Sequence, residues 1–330
     1  MGHSAEKIKD ICTASVIGAA VGDAMGLPYE LLSREETRRV YIPYMIGGDN
    51  SFTSGWRTLI PSGAWSDDTS MILATMKAIS DRQGEIDNQL IMSYYVDWWT
   101  KAQFCSWDRA FGIGGIISKS LKRFQNGTEP LECGGKELMD NGNGSLMRIL
   151  PFSLLAIFRN MSIEESTRLV CNGSSLTHAH EISCAGCCIF TEFLRQIILG
   201  ENKNNALQAV RDTDFSRFFG VPTLQEYDMV LKQPYETWNE NNIKETGYVA
   251  DTLNGALFSI MNSDSYENAI NTAIKLGGDT DTVACVTGAL AGTIYGYSSI
   301  PEKWTVNLRK FNMLRNIARG FADTISGTMG

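Results

Sequence analysis

Apolar residues recur at helical spacing along almost the whole chain, and this pattern constrains the fold more than any other feature. Apolar positions three to four residues apart predict helices that bury one face or are buried entirely. The predicted helices are Ala5–Ala24, Asp68–Asp81, Asp87–Lys101, Ala110–Phe124, Leu146–Phe158, Ile163–Asn172, Glu181–Leu199, Ala206–Asp212, Val249–Met261, Tyr266–Leu276, Thr282–Tyr295, Trp304–Arg309 and Phe311–Ile325.

Strand signals are weak by comparison. Val40–Ile46 is the one run that resembles a strand, and Pro43 restricts it to an edge or a loop. Only 8 prolines occur in 330 residues, which also favours helix. The polar segment 216–246 contains Pro222 and Pro234 and is predicted to be irregular. We therefore predict one all-α domain over residues 1–330.

Composition narrows the function classes. A net charge of −8 argues against a nucleic-acid partner held by phosphate contacts. The first residues are polar, unlike a signal peptide, and Val283–Tyr297 is shorter than the roughly 20 residues that span a bilayer. These features predict a soluble protein without a membrane or nucleic-acid partner.

The eight cysteines show no disulfide framework. Cys184 and Cys187 have the spacing of a zinc or redox pair, but no second pair accompanies them and their neighbours are apolar. Free cysteine commonly serves as a small core residue. A reducing cytoplasm is the predicted compartment.

Two predicted helices begin with clustered acidic residues. In Ser66-Asp67-Asp68-Thr69, Ser66 is a good N-cap, and carboxylates favour the positive end of the helix dipole. Asp279-Thr280-Asp281-Thr282 follows Gly277-Gly278 and repeats the arrangement. One such motif alone is explained by capping. As a pair, they predict an oxygen-only site for Mg²⁺ or Mn²⁺, because clustered carboxylates repel one another unless a cation or a proton intervenes.

Further motifs make the chain similar to the ADP-ribosylglycohydrolase family, which includes enzymes of the dinitrogenase-reductase-activating type. They occur in the family's order from about residue 11 to residue 300. The matching segments are Gly22-Asp23-Ala24-Met25-Gly26-Leu27-Pro28-Tyr29-Glu30, Trp65-Ser66-Asp67-Asp68-Thr69, Gly142-Asn143-Gly144-Ser145-Leu146-Met147-Arg148, Thr177-His178 and Gly277-Gly278-Asp279-Thr280-Asp281-Thr282.

The resemblance implies an all-helical fold with two Mg²⁺ or Mn²⁺ ions. Ser66, Asp67 and Asp68 would ligate one ion, and Asp281 would bridge to the second. Asp279, Thr282 and Glu30 would complete the second site. The family often has Thr where this chain has Ser66, which keeps the hydroxyl. Asp23 lies in the first motif and is interpreted as holding a helix end.

The resemblance also implies a nucleotide site. Its substrate-binding residues would be Gly112, Gly114, Gly115, Asn143, Gly144, Ser145, Met147, His178 and Tyr248. Each has an ordinary structural alternative. The glycines also permit close packing, Asn143-Gly144 is equally typical of a turn, and Tyr248 is as plausible in the core as on adenine.

The implied reaction is hydrolysis of the bond between ADP-ribose and its acceptor, most naturally arginine on a protein. Glu30, Asp67 and Asp68 are the candidate catalytic carboxylates, and segment 216–246 is the predicted reader of the acceptor. The expected partners are an ADP-ribosylated protein or a small ADP-ribose conjugate, and also a toxin-type ADP-ribosyltransferase. Serine-linked or small-molecule substrates, binding without turnover, and hydrolysis of another phosphoester remain alternatives.

Overall fold

Helices account for all the regular secondary structure in the computed structural model, which describes residues 3–327. Within that range no strand forms; isolated bridges join Gly135 to His178 and Gly142 to Tyr248. The helices are α1 Ala5–Gly26, α2 Arg34–Val40, α3 Asp67–Asp81, α4 Asn88–Lys101, α5 Gly115–Gln125, α6 Leu150–Phe158, α7 Ile163–Ser175, α8 Glu181–Ile198, α9 Lys203–Asp212, α10 Val221–Gln225, α11 Asp228–Leu231, α12 Val249–Met261, α13 Tyr266–Lys275, α14 Thr280–Tyr295, α15 Glu302–Thr305 and α16 Phe311–Gly327. The all-α prediction is confirmed.

Several boundaries differ from the predicted ones. The helix predicted from Ala110 begins at Gly115, because Gly112 has a φ of 84° and Gly114 is extended. The helix predicted over Leu146–Phe158 is divided into a 3-10 turn and α6, with a proline in the first turn of α6.

The region predicted as a possible strand is also different. Helix α2 ends at Val40, and the residues after it form no ladder. The signal for α2 was present in the sequence. Ser33 and Glu36 form a capping box, in which each side chain accepts a backbone N–H of the other residue.

Helices α1 and α14 pack against each other at unusually close range. Gly18, Gly22 and Gly26 lie along one face of α1, where a Cβ on Gly22 would overlap the carbonyl oxygen of Ala284, and one on Gly18 that of Gly288. Residues four apart form a ridge on a helix, so small residues at this spacing let two backbones approach. This contact places the end of α1 against the start of α14.

Helix α1 is the central element of the core. The segment Ala5–Tyr29 is long and apolar enough to span a membrane by length and composition, but 94% of its most apolar window is buried within the protein. The main hydrophobic core cluster extends from Ile8 in α1 to Ile325 in α16, and a smaller one contains Leu27 and Phe111. This arrangement is typical of the buried core helix of a multi-helix bundle.

The segment predicted to be irregular, 216–246, consists of short turns that include α10 and α11. Tyr227 within it is fully buried and donates a hydrogen bond to the carbonyl of Ile182 at 2.6 Å. The segment is therefore anchored against α8.

Candidate active site

Three helix ends meet at one point in the protein. The hydroxyl of Thr280 at the start of α14 donates to the carbonyl of Gly26 at the end of α1, at 2.8 Å. Beyond α1, Leu31 N–H donates to Gly278 O at 2.8 Å. Both Gly277 and Gly278 have positive φ, and a side chain on either would overlap backbone atoms of other segments. The paired glycines therefore allow this junction to form.

The third helix end is tied to this junction by Asp23. Ser66 N–H donates to the carboxylate of Asp23, whose two oxygens lie 2.9 and 3.0 Å from the nitrogen. One of these oxygens also accepts from the hydroxyl of Thr69 at 2.6 Å. Asp23 thus satisfies free amides at the start of α3. These contacts agree with the interpretation that Asp23 holds a helix end.

An acidic cluster results from these contacts. Ligand oxygens of Asp23, Asp68 and Asp281 lie within 4.8 Å of one another, and all three residues are buried. Asp68 Oδ2 accepts a hydrogen bond from Ser66 Oγ at 2.8 Å, whereas its buried Oδ1 has no hydrogen-bond partner. A buried carboxylate oxygen without a partner is costly, so this site favours a cation.

Burial and mutual repulsion also shift the pKa values of the carboxylates in the cluster. Burial raises the pKa of Asp67, Asp68 and Asp281 well above the usual range, and neighbouring carboxylates add to the effect. Burial raises the pKa of Asp23 to about 6. Burial also raises the pKa of Glu30, although the Arg57 guanidinium opposes that shift. A divalent cation would offset this repulsion.

A cavity of about 460 Å³ opens above the cluster. It brings together most of the residues singled out in the sequence. Those in its lining are Glu30, Asp67, Asp68, Gly112, Gly114, Gly115, Asn143, Gly144, Met147, His178, Asp279, Asp281 and Thr282. The cation site and the residues proposed for the nucleotide therefore share one cleft.

The N-terminus of α5 forms one wall of this cleft. Gly114 provides no side-chain cap, and within residues 3–327 no protein group accepts from the amides of Gly115 to Ile117. Free amides and the helix dipole make such an end a ready anion site. Lys119, one turn further along α5, also lines the cavity. It was not predicted, although its spacing of four from Gly115 places both on one helix face.

Asn143 links two sides of the cleft. Its side-chain amide donates to Asp279 Oδ2 at 2.8 Å and to the hydroxyl of Thr252 at 2.9 Å. Its backbone N–H donates to the carbonyl of Gly247 at 2.9 Å. The asparagine therefore fixes the orientation of a predicted metal ligand, a role that the local turn motif did not reveal.

His178 is buried, and one ring nitrogen lies 2.9 Å from the Thr177 hydroxyl. That hydroxyl accepts from the fully buried Arg148 guanidinium at 2.6 Å. Because the Thr177 oxygen accepts from the Arg148 guanidinium, the hydroxyl hydrogen is free to be donated to His178 Nδ1. The ring proton of the neutral histidine is then on Nε2. Burial, and secondarily the charge of Arg148, lowers the pKa of His178 to about 3. His178 therefore offers the cleft a neutral donor.

Three predicted site residues lie outside the lining of the cleft. Ser66 sits behind Asp68, to which it is hydrogen-bonded. Ser145 is fully buried, and its hydroxyl accepts from Ser174 at 2.9 Å. Tyr248 directs its hydroxyl to Glu226 at 3.0 Å.

The assignment of segment 216–246 as the reader of the acceptor stays a prediction. None of its described residues lines the cleft or the cavity beside it. Tyr227 packs against α8, whereas the backbone of Glu245 lies against Gly278, next to the acidic cluster. The residues beside the acidic cluster come from 56–59 and 107–113.

Comparison with known proteins decides the family. The sequence profile of ADP-ribosylglycohydrolases matches residues 4–329. The chain belongs to the ADP-ribosylglycohydrolase family. The family and the names of its relatives make it a glycohydrolase acting on ADP-ribose conjugates, as predicted.

The relatives in this family include two with named acceptors. ADP-ribosylarginine hydrolase Tri1 of Serratia proteamaculans is 30% identical over 310 residues, covering 94% of this chain and 78% of that protein. ADP-ribosyl-[dinitrogen reductase] glycohydrolase of Rhodospirillum rubrum is 26% identical over 313 residues, covering 91% of each. These names give no support to a toxin-type transferase as partner.

A solved structure shares the fold. It is described as an ADP-ribosylglycohydrolase-related protein complex and matches with a TM-score of 0.77 at 24% identity. The match covers 97% of this chain and 99% of the other. At this identity the likeness concerns the fold alone.

Proposed function

We propose that this glycohydrolase releases ADP-ribose from arginine side chains of proteins, using two divalent cations, Mg²⁺ or Mn²⁺. One observation carries the proposal. A buried acidic cluster, with Asp68 Oδ1 lacking any partner, lies in the same cleft as the open N-terminus of α5. A site for cations beside a site for a diphosphate suits ADP-ribose.

The side chains at this junction match the chemistry of such cations, since they offer only oxygen atoms. Ser66, Asp67 and Asp68 would hold one ion. Asp281 would be shared, and Asp279, Thr282 and Glu30 would complete the second site. When bound, the ions supply positive charge that orients the hydroxyls of the distal ribose and acidifies water.

Among the carboxylates, Glu30 is best placed to transfer a proton. It lines both the cleft and the adjoining cavity, so it faces both sides of the bond to be broken. As the water oxygen bonds to C1″, the C1″–N bond breaks and its electron pair stays on the guanidine nitrogen. Glu30 accepts the proton lost by water and returns it to that nitrogen. Asp67 and Asp68 stabilise the positive charge that develops at C1″.

Support for arginine as the acceptor comes from relatives named ADP-ribosylarginine hydrolases, at 30% and 28% identity. Support for a reducing cytoplasm comes from the cysteines, which are all free. Even Cys171 and Cys188, whose sulfur atoms are 3.8 Å apart, form no disulfide.

The test is hydrolysis of matched peptides bearing ADP-ribose on arginine or on serine. We expect release from the arginine peptide, its loss in EDTA, and recovery with added Mg²⁺ or Mn²⁺. Asp281→Asn should lower the rate at least a hundredfold, while Asp264→Asn, an exposed aspartate away from the cleft, should not. Release from serine alone would refute the arginine assignment. Thermal stabilisation by ADP-ribose without turnover would show a binding protein instead.

A further inference from the structure

A second cavity, of about 430 Å³, adjoins the cleft. Glu30 and Gly112 line both cavities and so mark their junction. At Gly112 the backbone lies directly on the acidic cluster, because a Cβ there would overlap Asp67 Oδ1. The inner end of this second cavity, here called the acceptor groove, therefore reaches the reacting bond.

The position of the acceptor groove suits a leaving group. The free amides at the start of α5 and the ammonium group of Lys119 lie in the cleft, so we expect the diphosphate to bind on that side of the cluster. The groove lacks both and begins beyond Glu30. A side chain attached to C1″ would therefore extend into this groove.

The walls of the acceptor groove are apolar and aromatic. The Phe111 ring centroid is 5.9 Å from that of Trp56 and 6.2 Å from that of Trp107. Trp56 is 49% exposed and Leu59 is 61% exposed, although both side chains are large and apolar. Contiguous exposed apolar surface beside a site, with tryptophan in it, is typical of a surface that binds another chain.

Two arginines and one carboxylate, that of Glu30, line the groove in a chain whose net charge is −8. The guanidinium of Arg109 lies 4.7 Å from the ring centroid of Trp107, and that of Arg57 lies 5.7 Å from Trp56. Among residues 3–327, Arg109 forms an ion pair with its neighbour Asp108 alone, and both side chains are more than 60% exposed. Such an exposed pair is weak, so Arg109 remains available to a carboxylate from a ligand.

We propose that the acceptor groove binds the polypeptide around the ADP-ribosylated residue and selects segments with apolar and acidic side chains next to it. The proposal rests on the proposed function. ADP-ribosylarginine blocked at its α-amino and α-carboxyl groups would leave the aromatic walls and Arg109 without a partner. A peptide with leucine and glutamate beside the modified arginine would cover both.

The experiment compares the KM and kcat of three substrates: ADP-ribosylarginine blocked as its N-acetyl amide (the free conjugate), a peptide with leucine and glutamate beside the modified arginine, and the same peptide with lysine for glutamate. We expect the acidic peptide to have the lowest KM in the wild type. Trp56→Ala should raise that KM about tenfold and raise the KM of the free conjugate much less, because the conjugate reaches only the inner end of the groove. Arg109→Glu should reverse the preference between the acidic and the lysine peptide.

Arg315→Glu is the matched control, because Arg315 lies over Phe311, outside the groove. It should change no KM. Equal KM values for the three substrates, or the same effect of Trp56→Ala on peptide and free conjugate, would overturn the groove proposal while the hydrolase remains. If the wild type released ADP-ribose from none of them, the proposed function would fail and the groove assignment with it.

Discussion

Arg57 and Glu30 form an ion pair of 3.2 Å at the mouth of the acidic cluster. Glu30 is also a proposed ligand of the second cation, so the guanidinium and the cation compete for one carboxylate. The side chains are 21% and 22% exposed, so solvent screens their attraction only in part. Arg57 therefore lowers the affinity of the site for divalent ions.

Replacing Arg57 by glutamine should tighten Mg²⁺ binding. A partly exposed ion pair contributes about 1 kcal/mol, which corresponds to roughly a fivefold lower Kd. Calorimetric titration with Mg²⁺ measures this directly. Arg109→Gln is the control, because Arg109 shares the groove but makes no contact with Glu30. An equal gain in both variants would mean that general charge, and not the pair, sets the affinity.

His178 makes a pH-dependent contribution to stability that has a definite sign. Its pKa is lowered to about 3 in the folded protein, whereas an unfolded histidine titrates near about 6.5. The unfolded chain therefore binds more protons, and stability is lost as pH falls below about 6.5. In His178→Gln this loss should be absent. Urea unfolding at pH 7.5 and pH 5 should show a smaller difference between wild type and variant at pH 5, and a difference independent of pH would contradict the assignment.

At the scale of elements, the contact between α1 and α14 brings Asp23, which holds the start of α3, close to the acidic start of α14. Gly18, Gly22 and Gly26 recur every four residues, and this spacing is visible in the sequence. It indicates a close helix contact but not which helix is the partner. Ser66 and Asp281 could be assigned to helix starts from local sequence, whereas the meeting of those starts depends on this long-range contact.

Gly22→Ala tests that contact. The added Cβ would overlap the carbonyl oxygen of Ala284, which the backbone can relieve only by separating the helices. We expect a loss of about 1–3 kcal/mol in the free energy of unfolding and weaker Mg²⁺ binding. Gly320→Ala, on the exposed face of α16 with open space at the Cβ position, should instead stabilise by about 0.5–1 kcal/mol. Equal effects in denaturant unfolding would refute the role of the contact.

At the scale of the whole molecule, the sequence motifs predicted many residues that line the cleft, but none of the tryptophans and arginines that line the acceptor groove. Residues in short motifs, such as Asp279 and Asn143, could be predicted because each motif fixes its own backbone. Arg57 and Trp107 belong to segments without a recognisable motif, and they line the acceptor groove only through packing of distant parts of the chain. Polarity alone does not show which face a segment covers, so the assignment of segment 216–246 as the reader of the acceptor stays a prediction.

The acidic cluster joins α1, α3 and α14, so cations should stabilise the whole fold. The folded pKa of Asp23 is raised to about 6, and burial raises those of Asp67, Asp68 and Asp281 well above the usual range, whereas unfolded aspartates titrate near about 3.9. The folded protein therefore binds more protons, and without metal its stability falls as pH rises through these folded values.

We thus expect the melting temperature in EDTA to fall between pH 5 and pH 8, and Mg²⁺ to raise it most at pH 8, where the carboxylates would otherwise repel one another. The difference between Mg²⁺ and EDTA at each pH isolates this effect from groups such as His178, which titrate in both conditions. Asp281→Asn removes one buried charge, so it should flatten the EDTA profile and reduce the gain from Mg²⁺. A gain from Mg²⁺ that is the same at every pH, or unchanged in Asp281→Asn, would show that the cluster is not where the cations bind.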